Sequence, residues 1–260
     1  MATQMIDGIA VEVSGEGPAV LCIHGLGGSS NVWTPLLPAL HGHRVIRFDL
    51  PGSARSALPA EPLSIALFVR AAEQVLAALG TSRVTVLAHS LGTVVAQHFA
   101  VANPDKVDGL LLFGPLAAPP DQGRPGILAR AALAREGLPA MQEIADAIVA
   151  GATGTETKAH NPLALALVRE CVMRQSPLGY AASCTALAAA QPAPVEQLTV
   201  PVLLVTGDQD GVAPAAAVQA LAARIGGSEV RVLAHCGHWT PFEKTAECSA
   251  AIEEFFQQLR

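Results

Sequence analysis

The amino-acid sequence predicts an α/β fold built on a mainly parallel sheet. Short apolar runs recur along the chain, and most of them are continuous rather than alternating, which is typical of strands covered on both faces. Segments with helical character separate many of these runs. The chain has 260 residues, of which 51% are hydrophobic and 15% charged, a composition that indicates a compact globule. Together these three observations indicate strands that alternate with helices.

Seven runs are predicted to be strands. They are IAVEV (9–13), AVLCI (19–23), RVIRF (44–48), VTVLA (84–88), VDGLLLF (107–113), VPVLLVTG (200–207) and EVRVL (229–233). Four further segments are predicted to be helices, namely 64–79, 91–102, 215–225 and 242–259. Strands and helices that alternate over such a length form a largely parallel sheet.

The alternation stops between Pro115 and Pro194. This Ala-rich stretch shows no evident strand and four helical segments, which are ILARAALAREGL, AMQEIADAIVAG, PLALALVRECVMRQ and LGYAASCTALAAA. We predict that residues 116–194 form a helical cap, inserted into a core made of residues 1–115 and 195–260. Because parallel sheets bind ligands beyond the carboxyl ends of their strands, an insertion at that edge would cover the binding crevice.

Composition excludes several classes of partner. The chain has 16 basic and 22 acidic residues, a net charge of -6, and no basic run, which argues against binding to nucleic acid. Its apolar runs are far shorter than the ~18 residues of a membrane span. The N-terminus MATQMIDGIAVEV lacks the features of a signal peptide. Five cysteines without a CxxC pair fit a reducing compartment, so we expect a cytoplasmic protein. The oligomeric state cannot be read from these features.

The stretch VTVLAHSLGTVVAQHFA changes from strand to helix at AHSLG, where Ser90 lies. The positions two before and two after this serine are Ala88 and Gly92, both small. The pattern is close to G-x-S-x-G, in which a sharp turn exposes a nucleophilic serine hydroxyl. A second interpretation stays open from these residues alone: Ser90 could be the N-cap residue of the following helix.

A serine hydroxyl becomes a good nucleophile when a base accepts its proton, and an acid must orient that base. On this architecture the acid and then the base follow the serine in the chain. The loop DQDGVAP offers Asp208 and Asp210; we favour Asp210, because Asp208 directly follows the strand and can cap the turn. The loop AHCGHWTPFE offers His235 and His238; we favour His238, which follows a glycine.

Acyl transfer also needs two backbone N–H groups that bind the oxyanion. One is expected from Leu91, the residue after the serine, and the other from Leu26 in the loop HGLGGSS. The same loop does not fit a dinucleotide site, because Ser30 stands where the third glycine of G-x-G-x-x-G should be. Neither a cofactor nor a metal ion is required for this chemistry.

Five ordered motifs resemble the α/β-hydrolase superfamily: HGLGG, FDLPGSARS, AHSLG, GDQDGVAP and CGHWTPFE. The resemblance covers essentially the whole chain. It implies a mostly parallel eight-stranded sheet flanked by helices, with a helical cap of four helices after the sixth strand. It further implies Ser90 as nucleophile, Asp210 as acid and His238 as base, with the amides of Leu26 and Leu91 as the oxyanion hole.

The chain departs from the family pattern at two positions, since Ala88 and Ala54 stand where glycines are usual. Neither change removes a reacting group. Within the superfamily, the chain length and the cap segment SPLGYAASCTALAAAQ are similar to 3-oxoadipate enol-lactonases and related small carboxylic-ester hydrolases. That similarity implies a small ester or lactone as substrate. A substrate carboxylate could be held by a cap arginine; the candidates are Arg130, Arg135, Arg169 and Arg174.

The sequence therefore predicts a serine hydrolase that cleaves a small carboxylic ester or lactone through an acyl-enzyme. An enol-lactone from the catabolism of aromatic compounds is one such substrate. Two alternatives on the same fold stay open, namely a carbon–carbon bond hydrolase and a cofactor-independent dioxygenase. A binding protein without activity is disfavoured, because all three members of the expected triad are present.

Overall fold

One eight-stranded sheet runs through the molecule in the computed structural model, which describes residues 3–259. Its strands are β1 (Thr3–Ile6), β2 (Ile9–Ser14), β3 (Ala19–Ile23), β4 (Arg44–Phe48), β5 (Val84–His89), β6 (Val107–Phe113), β7 (Val202–Gly207) and β8 (Glu229–Leu233). Their spatial order is β1-β2-β4-β3-β5-β6-β7-β8. Strand β2 is antiparallel to β1 and to β4, and the other pairs are parallel. The predicted sheet is confirmed.

Helices connect the strands and cover both faces of the sheet. The α-helices are α1 (Ile65–Ala78), α2 (Leu91–Ala102), α3 (Arg124–Ala134), α4 (Leu138–Ala152), α5 (Thr155–His160), α6 (Pro162–Met173), α7 (Pro177–Ala189), α8 (Ala215–Ala222), α9 (Thr240–Glu243) and α10 (Thr245–Gln258). The 3₁₀ helices are Ser30–Leu40, Pro104–Lys106, Asp121–Gly123 and Val195–Gln197. Among the described residues, no helix is long and apolar enough to span a bilayer.

All seven predicted runs form strands, one further strand lies outside these runs, and two of the predicted core helices differ in extent. The eighth strand, β1, pairs with β2 through a tight turn at Asp7 and Gly8, whose φ angles are 47° and 82°. Positive φ at both central residues is the geometry of a hairpin turn. The predicted helix 242–259 is two helices, α9 and α10, and α8 ends three residues before the predicted position 225.

The stretch between β6 and β7 is helical throughout its described secondary structure, from α3 to α7. Within it, α3 packs on α7 and α4 packs on α6. Four of these helices match the four predicted segments. The expectation of only four helices is wrong, because the six-residue helix α5 follows α4 directly and was hidden in the polar segment TETKAH. The cap boundaries at 116 and 194 stay a prediction.

The central strands are buried on both faces, as their continuous apolar runs predict. In β3, Leu21 and Ile23 face a core formed with α1, α2 and α8. Their neighbours Val20 and Cys22 face a second core, formed with the 3₁₀ helix Ser30–Leu40, with α10 and with the cap helices. Because side chains alternate along a strand, one apolar run supplies both cores. The parallel strands then all end at one edge, where the loops described next converge.

Candidate active site

Ser90 lies on a sharp turn between β5 and α2. Its backbone angles are φ 52° and ψ −121°, a conformation that residues other than glycine rarely adopt. The Ser90 amide donates a hydrogen bond to the Phe113 carbonyl at 2.9 Å, which holds the turn against β6. The side chain makes no capping hydrogen bond to α2. The interpretation of Ser90 as an ordinary N-cap is therefore wrong.

Small residues allow this turn to pack closely against the end of β3. A Cβ atom at Gly92 would lie 2.4 Å from the Ile23 carbonyl oxygen, so any side chain at position 92 would push α2 away from the sheet. A Cβ atom at Gly25 would lie 2.8 Å from the Ser90 Cβ. Ala88, by contrast, is fully buried within β5, and its methyl group is accommodated there.

A chain of hydrogen bonds joins Ser90, His238 and Asp210. The His238 Nε2 lies 2.8 Å from the Ser90 Oγ, and the His238 Nδ1 lies 2.8 Å from an Asp210 carboxylate oxygen. All three residues are buried. Gly114 allows this approach, because a Cβ atom at Gly114, whose φ is 55°, would lie 2.9 Å from the His238 ring.

The two rival residues lie outside this chain of hydrogen bonds. Asp208 accepts a hydrogen bond from the Cys236 amide at 3.1 Å, and so it braces the loop that leads to His238. His235 is exposed at the start of the same loop. Of the sequence-predicted candidates, the structure thus brings together Ser90, Asp210 and His238.

The surroundings of Asp210 keep its carboxylate charged. Burial by itself raises the pKa of this carboxyl. The facing His238 and the amides of Ala213 and Val212 lower the pKa by more than burial raises it, so it lies below its ordinary value. Those amides donate to the Asp210 Oδ1 at 2.7 and 2.8 Å. A charged acceptor at the His238 Nδ1 selects the tautomer with a proton there. The His238 Nε2 can then accept the proton of the Ser90 hydroxyl.

His89, next to Ser90, holds the backbone of His238. Its Nε2 lies 2.9 Å from the His238 carbonyl oxygen, which can only accept, so the Nε2 carries the proton. Burial lowers the pKa of His89 to about 3, helped by the neighbouring His238. A neutral imidazole is therefore packed at this position, and its ring centroid lies 5.1 Å from that of His238.

The amide of Leu26 is oriented by hydrogen bonds on the opposite side of its peptide. The Gly25 carbonyl accepts from the Gly28 amide at 3.0 Å and from the His24 Nδ1 at 2.8 Å. His24 is itself fixed, because its Nε2 accepts from the Leu50 amide at 2.9 Å. Since the C=O and N–H of a trans peptide point in opposite directions, these bonds aim the Leu26 N–H away from them.

The amide of Leu91 is oriented in the same manner. The Ser90 carbonyl accepts from the Thr93 amide at 2.7 Å and from the Thr93 hydroxyl at 2.6 Å. The Thr93 hydroxyl oxygen also accepts from the Leu116 amide at 3.0 Å. Within residues 3–259, neither the Leu26 amide nor the Leu91 amide donates to another group of the chain. Two oriented N–H donors of this kind can bind a negatively charged oxygen.

Sequence reasoning missed two buried polar side chains that tie the cap to the loops of the site. Glu243 lies inside the motif CGHWTPFE, and its carboxylate accepts from both sides of His238, as well as from the start of α5. Gln175 follows α6 and contacts the loop that carries Leu26. No sequence pattern marks Gln175, because its partners are about 120 to 148 positions away in the chain.

The four cap arginines differ in their surroundings. Arg169 and Arg174 form ion pairs with carboxylates of the cap, and Arg135 donates to a carbonyl of its own helix; the three bonds are to Asp146 at 2.6 Å, to Glu170 at 3.0 Å and to Ala131 at 3.1 Å. Arg130 is half-buried and forms no ion pair in the described part of the chain. It lies beside the buried Tyr180 hydroxyl, without a well-formed hydrogen bond to it.

Across residues 3–259, no group of three or more His, Cys, Asp or Glu side chains is arranged to hold a metal ion. The five cysteines are free thiols, and four of them are buried. Burial raises the pKa of these buried thiols, which makes them poor nucleophiles.

Comparisons with known proteins agree with this architecture. An uncharacterized protein of Mycobacterium tuberculosis is 28% identical over 264 residues, which cover 95% of this chain and 77% of that protein. The solved structure of an esterase from Thermogutta terrifontis is 25% identical, has a TM-score of 0.88, and is matched over 97% of its length by 99% of this chain. An enol-lactonase from Burkholderia xenovorans has a TM-score of 0.90 at 23% identity, over 98% of this chain and 100% of that one, a likeness of fold.

The family comparison covers most of the chain. A sequence model described as the alpha/beta hydrolase fold matches residues 18–245. This range includes Ser90, Asp210 and His238 and the whole segment between β6 and β7. This chain belongs to the α/β hydrolase fold family.

Proposed function

We propose that this protein is a serine hydrolase that cleaves a carboxylic ester or lactone of a small molecule through an acyl-enzyme intermediate. The chain of hydrogen bonds from Ser90 through His238 to Asp210, with both distances 2.8 Å, carries the proposal. It joins a serine, an imidazole and a carboxylate in the order that nucleophilic catalysis requires. An esterase and an enol-lactonase are among the solved structures similar to this chain, which supports the same reaction class.

In the first half of the reaction, the Ser90 Oγ attacks the acyl carbon while the His238 Nε2 takes its proton. The negative charge that develops on the carbonyl oxygen is stabilised by the amides of Leu26 and Leu91. The tetrahedral intermediate then expels the alcohol, which receives the proton from the His238 Nε2. Asp210 remains ionised and stabilises the transient imidazolium.

In the second half, water replaces the alcohol. The His238 Nε2 takes a proton from this water as its oxygen attacks the acyl carbon attached to Ser90. The second tetrahedral intermediate is stabilised by the same two amides, and the Ser90 Oγ leaves with the proton held by His238. In a lactone the acid and the alcohol belong to one molecule, so a single hydroxy acid (or, from an enol-lactone, an oxo acid) is released.

For the substrate, we propose a small lactone or ester that carries a carboxylate, such as an enol-lactone from the catabolism of aromatic compounds. Arg130 supports this choice, because it is a half-buried guanidinium without a carboxylate partner in the described chain. The Tyr180 ring beside it packs against the loop of the site, where a Cβ atom at Gly27 would lie 3.2 Å from that ring. A guanidinium binds a carboxylate with two parallel hydrogen bonds.

A reducing compartment, the cytoplasm, fits the chain, because all five cysteines are free. The proposed reaction needs no cofactor, and its two reactants are the small-molecule substrate and water.

The test is hydrolysis of a panel of short-chain aryl esters and lactones, with and without a carboxylate, by the wild type and four variants. We expect Ser90→Ala to abolish turnover, and Asp210→Asn to lower kcat by about 10⁴-fold, because the histidine is then held in the wrong tautomer. Asp208→Asn is the matched control, two positions away: its Oδ1 can still accept from the Cys236 amide, so kcat should stay close to the wild-type value. Arg130→Met raises KM for the carboxylate substrates alone.

Two outcomes would contradict the proposal. One is turnover that survives in Ser90→Ala, which would leave the reaction without its nucleophile. The other is a folded wild type that hydrolyses no ester or lactone. Activity on a carbon–carbon substrate, or oxygen uptake with a heteroaromatic substrate, would then identify one of the two alternative reactions on this fold.

A further inference from the structure

Gln175 is a buried cap residue whose side chain donates hydrogen bonds to the loop that contains Leu26. Only 3% of its surface is exposed. Its Nε2 donates to the Gly27 carbonyl at 3.2 Å and to the Gly28 carbonyl at 3.0 Å. The same nitrogen lies 2.9 Å from the Cys171 carbonyl of α6, the helix that ends just before Gln175. The cap therefore positions this side chain, and its N–H groups donate to carbonyls of the core.

The orientation of the Gln175 amide follows from its surroundings. Three carbonyl oxygens face the Nε2, and the Ala54 N–H faces the Oε1 at 3.0 Å. A reversed amide would place an oxygen against three oxygens and a nitrogen donor against an N–H group. Gln175 consequently bridges two loops of the core, the loop of Leu26 and the loop that contains Ala54.

The segment HGLGGSS, which contains Leu26, is rich in glycine, so hydrogen bonds from outside the segment are needed to fix its backbone. Gly27 has φ 74°, and a glycine has more backbone freedom than any other residue. On one side of Leu26, the core holds the Gly25 carbonyl through His24 and the Gly28 amide. On the other side, the carbonyls of Gly27 and Gly28 are held by Gln175. The backbone around the Leu26 N–H is thus fixed from both directions.

The second loop has the same dependence. Ala54 has φ 46°, a left-handed conformation that is unfavourable for alanine, and its amide is the one that Gln175 accepts from. This loop also reaches the loop of Leu26 from the core side, because the Asp49 carboxylate accepts from the Ser30 amide at 2.7 Å. The loop of Leu26 and the loop of Ala54 are thus joined twice, by Asp49 from the core and by Gln175 from the cap.

We propose that Gln175 is a positioning residue for the oxyanion hole, so that the cap completes the catalytic site as well as covering it. The inference rests on the proposed function. Gln175 does not touch the reacting atoms; it acts through the Gly27 and Gly28 carbonyls on the direction of the Leu26 N–H. A misplacement of a catalytic group by about 1 Å can lower a rate by about 100-fold.

The test uses two substitutions and one control. Gln175→Met has similar size and removes every hydrogen bond. Gln175→Glu keeps an acceptor for the Ala54 amide but turns an oxygen toward the carbonyls of Gly27 and Gly28. The control is Gln191→Met, the same change at an exposed cap glutamine whose side chain donates to the Ala189 carbonyl of its own segment.

Three readouts separate positioning from stability. A p-nitrophenyl alkylphosphonate titrates active sites, because Ser90 forms a P–O bond and nitrophenolate leaves. Hydrolysis of p-nitrophenyl acetate gives kcat per titrated site and KM. A trifluoromethyl ketone forms a tetrahedral adduct with Ser90, whose charged oxygen binds the same amides as the transition state.

We expect both Gln175 variants to lower kcat per titrated site by about 10- to 100-fold, less than or equal to the loss of a whole oxyanion donor. KM should change by less than about twofold, and the affinity for the trifluoromethyl ketone should fall by the same factor as kcat/KM. Gln191→Met should match the wild type in all three readouts.

Wild-type rates per titrated site in both Gln175 variants would overturn the inference, even if thermal stability fell, because Gln175 would then be a structural residue only. A rise in KM at constant kcat would also overturn it, since that result describes a pocket wall. A wild type that neither reacts with the phosphonate at Ser90 nor binds the ketone would instead contradict the proposed function, and the inference with it.

Discussion

Ser90 and Ala54 both adopt a positive φ angle, 52° and 46°, which is uncommon for residues other than glycine. At Ser90 the strain belongs to the site, because the turn aims the hydroxyl at His238, and strained residues persist where surrounding structure determines them. Hydrogen bonds on both sides of the residue, to Phe113 and from Thr93, hold this turn. Ala54 has no such chemical role, and its strain is only a consequence of the loop path.

Ala54→Gly should therefore stabilise the protein. Glycine relieves a left-handed conformation that costs roughly 1–2 kcal/mol for other residues, and it loses part of this gain through a freer unfolded chain. We expect the free energy of unfolding to rise by about 1 kcal/mol. Urea denaturation at neutral pH measures it.

The matched control is Ala88→Gly, the other position where the chain departs from its family. Ala88 has strand geometry in β5 and is fully buried, so glycine there should lower the free energy of unfolding by about 1 kcal/mol through backbone freedom and lost apolar contact. A decrease in both variants would show that the left-handed angle at Ala54 carries little strain.

Among the elements, the loop that carries His238 depends on the junction between α4 and α5. Glu243 in α9 accepts from the amides of Gly237 and Trp239, which flank His238, at 3.1 and 2.9 Å. The same carboxylate accepts from the Gly154 amide at 2.6 Å and from the Thr157 hydroxyl at 2.8 Å. One buried carboxylate thus joins the histidine loop to the cap.

Glu243→Gln should destabilise the protein and lower kcat. The amide cannot accept from all four donors, and each buried donor without an acceptor costs about 1–3 kcal/mol, so we expect a loss of about 3 kcal/mol in the free energy of unfolding. Urea denaturation and ester hydrolysis measure the two effects. The exposed Glu247→Gln, in the next helix, is the control and should change neither. Wild-type stability in Glu243→Gln would refute the bracing role of this carboxylate.

The elements that the sequence predicts well are those whose signal is local. The buried strands are continuous apolar runs, and Ser90, Leu91 and Leu26 directly follow such runs or lie in the loops behind them. Strand β1 is TQMI, mostly exposed at the sheet edge, so its pairing follows from the turn at residues 7–8 rather than from apolarity. The 3₁₀ helix Ser30–Leu40 contains two prolines, which hide its helical character.

Signals that depend on long-range packing could not be read in advance. Asp210 and Asp208 are two positions apart, and only the path of the loop decides which carboxylate faces His238. The roles of Gln175 and Glu243 depend on where the cap docks, since their partners are up to 148 and 89 positions away. Sequence spacing carries information about neighbours in the chain, whereas these contacts arise from the assembled fold.

At the scale of the whole molecule, two buried histidines, His24 and His89, make stability depend on pH. Burial lowers the pKa of each below its ordinary value, in the case of His89 to about 3. In the unfolded chain a histidine has a pKa of about 6.5. Below that pH the unfolded state binds protons that the folded state does not, so the free energy of unfolding should fall as the pH decreases, by about 1.4 kcal/mol per pH unit and histidine.

His89→Gln isolates one of these contributions, because the amide can still donate to the His238 carbonyl but does not titrate. Between pH 8 and pH 5, the wild type should lose roughly 2 kcal/mol more of its free energy of unfolding than the variant does. Only the range of about 1.5 pH units below the unfolded pKa of about 6.5 contributes to this loss, at about 1.4 kcal/mol per unit. At pH 8 the imidazole is neutral in both states, so the difference measured there contains only packing and serves as the internal control. Urea denaturation of both proteins at pH 8, 6.5 and 5 measures the effect. Equal losses in the two proteins would mean that His89 takes up a proton in the folded state, and the neutral ring packed beside His238 would then be the wrong description of the site.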